Sequence, residues 1–188
     1  MQIDRRHCLG LLAGSLLAHD ASAAGPAMSS VTAYSFSFQG LKGGELRLGD
    51  YAGKPILVVN TASFCGYTPQ YTTLQQLWTR YHDRGLTIIG VPSNDFGQQE
   101  PGDAEQIADV THGMGVTFPI AAKAKVVGAG AHPFYKWAAS EQPANPPTWN
   151  FHKYLIGRNG HIAAVFATTM EPNDPRIIQA IVKELPGA

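Results

Sequence analysis

The stretch PILVVNTASFCGYTP, residues 55–69, decides how this chain folds. Residues Pro55 to Asn60 form a solid apolar run, preceded by the turn residues Asp50-Tyr51-Ala52-Gly53-Lys54. A short run that is apolar on both sides of the pleat suits a central strand covered on both faces. The stretch ends in Tyr67-Thr68-Pro69, where Thr68 reads as a helix N-cap and Pro69 as the first helical residue. Leu74, Leu77, Trp78 and Tyr81 then recur at helical spacing, and Gly85 ends the helix. Cys65 stands between the two, in the connection at the carboxyl end of the strand. In open α/β sheets that is where sites gather.

Working outward, Ala33 to Phe38 alternates as a strand does, and Glu45 to Leu48 returns after the Gly43-Gly44 turn, which makes a hairpin. Leu86 to Val91 is a second buried strand. Helices are expected from Asp103 to His112 and from Ala131 to Ser140. Phe151–Ile156 and His161–Phe166 flank Gly157-Arg158-Asn159-Gly160, a hairpin signal, and a last helix covers Asp174 to Glu184. With Asn159-Gly160 as a two-residue turn, Arg158 faces His161. Strands and helices in this order predict an α/β fold: a mixed central sheet flanked by helices on both faces, in one domain.

Fourteen basic residues balance fourteen acidic ones over 188 residues, and no basic stretch dominates. That argues against a nucleic-acid partner. Nothing after residue 25 is apolar for long enough to span a bilayer, so stable membrane insertion is not expected. The first 23 residues read as an export signal: Arg5 and Arg6, an apolar run from Cys8 to Ala18, then Ala21-Ser22-Ala23 as a cleavage signature. Asp4-Arg5-Arg6-His7-Cys8-Leu9 also fits a twin-arginine signal. The expected organisation is signal 1–23, linker 24–32 and domain 33–188, with the mature protein periplasmic or secreted. Cleavage after Ala23 removes Cys8 and leaves Cys65 as the one cysteine, so Cys65 is not a structural staple.

A lone cysteine is either a small buried hydrophobe or a reactive thiol. Just ahead of a helix, Cys65 faces exposed N–H groups and the positive end of the helix dipole, which favour the thiolate, the form that acts as nucleophile. The seven histidines, at 7, 19, 82, 112, 132, 152 and 161, show no H-x-x-x-H spacing, so no metal site is expected, and His132-Pro133 reads as a helix cap.

Three separated segments carry a resemblance. Gly53 to Thr68, GKPILVVNTASFCGYT, resembles the active-site signature of the glutathione peroxidase family. Val91 to Gly102, VPSNDFGQQEPG, is similar to its second signature, and Trp149 to Leu155, WNFHKYL, to its W-N-F-x-K-[FY]-L element. The resemblance runs from Ala33 to Leu185. It implies a thioredoxin-like fold with an added N-terminal hairpin, and a catalytic tetrad of Cys65, Gln99, Trp149 and Asn150. It also implies a thiol-dependent peroxidase that reduces hydrogen peroxide and organic or lipid hydroperoxides through a Cys65 sulfenic acid. The expected co-substrate is glutathione or a thioredoxin-like protein, with no bound cofactor. The residue types suit that chemistry: amide and indole N–H groups stabilise a thiolate and a developing oxyanion without bringing charge of their own. The alternatives are a peroxide-sensing redox protein and a thioredoxin-fold thiol–disulfide exchange protein, the latter with Thr68 at the second position of its C-x-x-C.

Departures from the family pattern sharpen these expectations. Asp95 stands where glutamine is usual. It either brings a carboxylate near the thiol or turns away to bond loop amides. The segment Glu141 to Thr148 lacks the long insert associated with tetramers, which points to a monomer. Val110 holds the position of the resolving cysteine, so the reductant must be an external thiol.

Overall fold

The computed structural model describes residues 30–187. The expected signal at 1–23 and most of the linker lie outside the described residues. A four-stranded sheet is built from β3 (Ile56–Thr61), β4 (Thr87–Pro92), β5 (Lys153–Ile156) and β6 (Ile162–Phe166), in the order β4-β3-β5-β6. β3 runs parallel to β4 and antiparallel to β5, and β5 pairs antiparallel with β6. β1 (Ser37–Gln39) and β2 (Glu45–Arg47) form the separate N-terminal hairpin. The helices are α1 (Gln70–Tyr81), α2 (Ala104–Gly113), α3 (Pro133–Glu141) and α4 (Pro175–Glu184).

β3 explains why its sequence is solidly apolar. Leu57 and Val59 pack on one face with Tyr71, Leu74 and Leu77 of α1 and Ile177 and Ile181 of α4. Ile56 and Val58 pack on the other with Phe134, Tyr135 and Ala138 of α3 and Phe38 of the hairpin. Every β3 side chain is buried. Truncating any one of its Leu or Ile side chains to Ala removes about 2–5 kcal/mol of stability. The hairpin is stitched to the sheet through residues 120–122: Ala121 N–H donates to Gly90 O at 2.8 Å and Leu41 N–H to Ile120 O at 2.9 Å.

Three local expectations are corrected. Thr68 does not cap α1. The regular helix begins at Gln70 with Pro69 at its N-cap, and the Thr68 hydroxyl serves the loop ahead of it. Ala33–Ser35 is a 3-10 turn rather than strand, because Ala33 N–H donates to Gly160 O at 2.8 Å and Tyr34 folds over the β5–β6 turn. That turn closes at Gly157 rather than Arg158: Gly157 N–H donates to His161 O at 2.9 Å. The loop is therefore Arg158-Asn159-Gly160, three residues long, with Gly160 left-handed at φ 80°. The Asn159 Oδ1 accepts from His161 N–H at 3.1 Å, a local bond that favours the wider turn.

Gly160 also lies against Tyr34, whose ring carbons sit 2.8 Å from where a Cβ would be. Gly160→Ala combines a strained φ with a clash and is expected to cost about 2 kcal/mol or more, read from urea unfolding midpoints.

Candidate active site

Cys65 sits in the loop between β3 and α1, folded around Thr68. The Thr68 hydroxyl donates to Ala62 O at 2.9 Å and accepts from Cys65 N–H at 3.1 Å, while Thr68 N–H donates to Cys65 O at 3.0 Å. These bonds hold the cysteine at a fixed distance beyond the strand. Its sulfur accepts from Tyr67 N–H at 3.4 Å. An N–H aimed at sulfur stabilises negative charge there. Cys65 is 7% exposed, whereas its neighbour Phe64 is 68% exposed. The thiol is buried under a rim that stands in solvent.

A second loop, after β4, carries Gln99 to the same place. Phe64 N–H donates to Gln99 O at 3.0 Å, and the Ser63 hydroxyl donates to Glu100 Oε2 at 3.1 Å. The loop turns sharply through two left-handed residues, Gly97 at φ 62° and Gln98 at φ 53°. A Cβ on Gly97 would lie 3.3 Å from the Trp149 ring and 3.4 Å from Gln99 Cγ, so the glycine lets those two side chains close over the loop.

The third segment is Trp149-Asn150. Asn150 is fully buried and donates from Nδ2 to Gln99 Oε1 at 2.9 Å. That bond takes the oxygen side of the Gln99 amide and leaves its NH2 side for another acceptor. Trp149 is 37% exposed, with its ring 6.0 Å from that of Phe96. The structure thus brings Gln99, Trp149 and Asn150 together and ties the cysteine loop to Gln99 through the backbone.

The Trp149–Asn150 segment is anchored by a row of carbonyls. Asn60 Nδ2 donates to Trp149 O at 3.0 Å, the Thr168 hydroxyl to Asn150 O at 2.8 Å, Lys153 Nζ to Phe151 O at 2.8 Å, and Asn60 N–H to His152 O at 3.3 Å. Phe151 is left-handed at φ 62°, uncommon for a bulky residue and costly by about 1–2 kcal/mol. The four bonds over-determine that conformation.

Asp95 takes the second of its two expected roles. Its Oδ2 accepts from Val126 and Val127 N–H at 2.6 and 3.1 Å, so the carboxylate pins the loop ahead of α3. His132 caps α3 as expected, its Nδ1 accepting from Phe134 N–H at 3.2 Å. Glu100 is buried, and burial pushes its carboxyl up, against hydrogen bonds from Ser63 and the charge of Lys123. Burial pushes His152 down to about 4 and Lys153 down to about 7, the latter opposed by Glu171. Among the described residues no group of three His, Cys, Asp or Glu side chains is placed to hold a metal ion. A cleft of about 410 Å³ opens beside the cysteine loop, lined by Ser63, Phe64, Pro101, Gly102, Asp109 and Val110 among others.

Sequence reasoning passed over Asn60, Glu100, Lys153 and Thr168. Lys153 left two signals: it is the lysine of the WNFHKYL element, and it stands at the head of the apolar run YLI. Asn60 left none, since a terminal asparagine reads as a strand end.

Residues 33–139 match the family model described as glutathione peroxidase. The chain is similar to the hydroperoxy fatty acid reductase of Synechocystis sp., 40% identical over 158 residues that cover 79% of this chain and 94% of that protein. Among solved structures it is similar to Trgpx in its apo form, with a TM-score of 0.67 and 35% identity, covering 84% of this chain and 100% of that one. A thioredoxin-family thiol:disulfide interchange protein from Chlorobium tepidum superposes at a TM-score of 0.58 over 81% of this chain and 94% of that one. At 17% identity that likeness shows the fold alone, which is thioredoxin-like.

His152 provides a pH test. Its folded-state value lies below the ordinary one, so between about 6.5 and about 4 the unfolded chain takes up a proton that the folded chain refuses. Its contribution to stability is present above that window and is lost as the pH falls through it. His152→Phe is expected to flatten the stability–pH curve there, measured by urea unfolding at each pH against the unsubstituted protein.

Proposed function

The chain belongs to the glutathione peroxidase family, and on that premise we propose that Cys65 is the peroxidatic nucleophile, with the Gln99 amide and the Trp149 indole as its N–H donors and Asn150, whose Nδ2 is bonded to Gln99 Oε1 and Phe96 O, orienting the Gln99 amide. The observation that carries this reading is the Asn150–Gln99 amide pair, packed beside Trp149 and tied through Gln99 O to the loop of the one cysteine among the described residues. In the first half-reaction the Cys65 thiolate attacks one peroxide oxygen and the O–O bond breaks. Sulfur is oxidised by two electrons to the sulfenic acid, and the leaving oxygen takes a proton to become water or an alcohol. Uncharged donors suit this step, because they stabilise charge both on sulfur and on the leaving oxygen.

The second half-reaction uses an external thiol. It condenses with the sulfenic acid to a mixed disulfide and water, and a further thiol releases Cys65 reduced. A thiol–disulfide exchange role is disfavoured, since the partner position in C-x-x-C is Thr68 and its hydroxyl is already bonded on both sides. The cleft beside Phe64 is large enough for part of an organic chain and supports organic hydroperoxides as substrates along with hydrogen peroxide. The name of the Synechocystis relative supports the same class. The cleft opens to solvent beside Phe64, which supports either glutathione or a thioredoxin-like protein as reductant. The short Glu141–Thr148 segment supports a monomer, and the leader at 1–23 supports a periplasmic or secreted site of action.

Cys65→Ser is expected to abolish peroxide consumption, and Gln99→Ala or Asn150→Ala to slow the first half-reaction about 10²–10³-fold in stopped-flow measurements. Full activity in Cys65→Ser refutes the reading. Expression in a host with the twin-arginine pathway is expected to yield a mature chain beginning at Ala24, read by intact-mass spectrometry. Arg5→Lys with Arg6→Lys is expected to stop that processing.

A further inference from the structure

We propose that Lys153 is a positioning residue for peroxide reduction: its buried side chain holds the Trp149–Asn150 segment in the conformation that presents its N–H donors. The inference rests on the reading of those two residues given above. Lys153 is fully buried, and Nζ donates to Phe151 O and to Met170 O, both at 2.8 Å. One bond fixes the left-handed residue directly after Asn150. The other reaches the turn that follows β6, where Met170 N–H donates to Ala167 O and where Thr168 holds Asn150 O. Lys153 therefore couples both supports of the segment through one nitrogen.

A packing role alone does not require lysine here. A methionine fills nearly the same volume without the desolvation that a buried ammonium suffers. What methionine cannot do is donate. It leaves the Phe151 and Met170 carbonyls buried and unpaired, and the left-handed turn loses one of its four restraints. The groups facing Lys153 are Glu171, from the turn ahead of α4, and His152, the residue just before β5. Glu171 favours the ammonium. His152, held neutral by burial, does not oppose it near neutral pH.

The test compares two reactions of the same thiol in Lys153→Met: oxidation by cumene hydroperoxide, followed by stopped flow, and alkylation by iodoacetamide. Alkylation needs only an accessible thiolate. Peroxide reduction also needs the donors in place. The expected result is a fall of about tenfold or more in the peroxide rate with the alkylation rate changed less than about twofold. Unchanged rates with both reagents, or an equal fall in both, overturn the proposal.

Should Lys153→Met fail to fold, the unsubstituted protein provides the second measurement. The ratio of peroxide to alkylation rates cancels the thiolate fraction. That ratio is expected to fall as the pH rises through about 7, where the ammonium loses its proton and its charge-assisted bonds weaken. A flat ratio overturns the proposal. An unsubstituted protein that reacts with peroxide no faster than free cysteine removes the peroxidase reading itself. A fast one with an unaffected Lys153→Met removes only the role of Lys153.

Discussion

Asn60, near the end of β3, commits both its backbone and its side chain to one segment of the chain. Its carbonyl accepts from Phe151 N–H at 2.5 Å, its N–H donates to His152 O at 3.3 Å, and its side chain donates to Trp149 O at 3.0 Å. Five residues further along the same strand and loop stands Cys65. Asn60, one residue past the last β3–β5 pair, Val59 with Lys153, thus sets where the Trp149–Asn150 segment lies relative to the cysteine loop. A shift of register between these strands would move Trp149 and Asn150 with respect to the cysteine loop, which is why burial of β3 on both faces matters to the site as well as to stability.

The polar groups around this junction follow a common rule. Those proposed to face the reaction are uncharged amide and indole N–H groups. Three that carry charge, Asp95, Lys123 and Lys153, are turned onto backbone. Asp95 accepts from two loop amides, Lys123 donates to Glu100 O and Gly102 O, and Lys153 donates to two carbonyls. A carboxylate aimed at the thiol would oppose thiolate formation, and a cation aimed at it would hold the anion at the expense of its reactivity. Charges are used here to fix loops, which on the proposed reading leaves neutral dipoles to follow the charge from sulfur to oxygen.

Much of this was legible in the sequence, because the strongest signals are covalent or periodic. The apolar run of β3, the helical spacing after Pro69 and the three ordered motifs set the architecture and bring Cys65, Gln99, Trp149 and Asn150 forward as a set. What was not legible depends on contacts between distant segments. Ala33–Phe38 alternates like a strand, yet half of it is pulled into a 3-10 turn by the β5–β6 loop. Thr68 has the composition of an N-cap, but its hydroxyl closes the cysteine loop instead. Asn60 and Thr168 are ordinary polar residues in sequence and acquire their roles only from the carbonyls that happen to face them. Side-chain to backbone bonds of that kind leave no periodicity to read.

Val110 shows how a departure from the family pattern can be physically coherent. It lines the cleft beside Phe64, on the face of α2 nearest the cysteine loop. Val110 is an apolar side chain where a resolving cysteine would carry a thiol. In this chain α2 is closed by a capping box between Asp103 and Gln106, and Thr111 donates back to Ile107 O and Ala108 O. α2 gives the cleft Gln106, Asp109 and Val110, and on the proposed reading an external thiol reaches Cys65 past the exposed Phe64 rim.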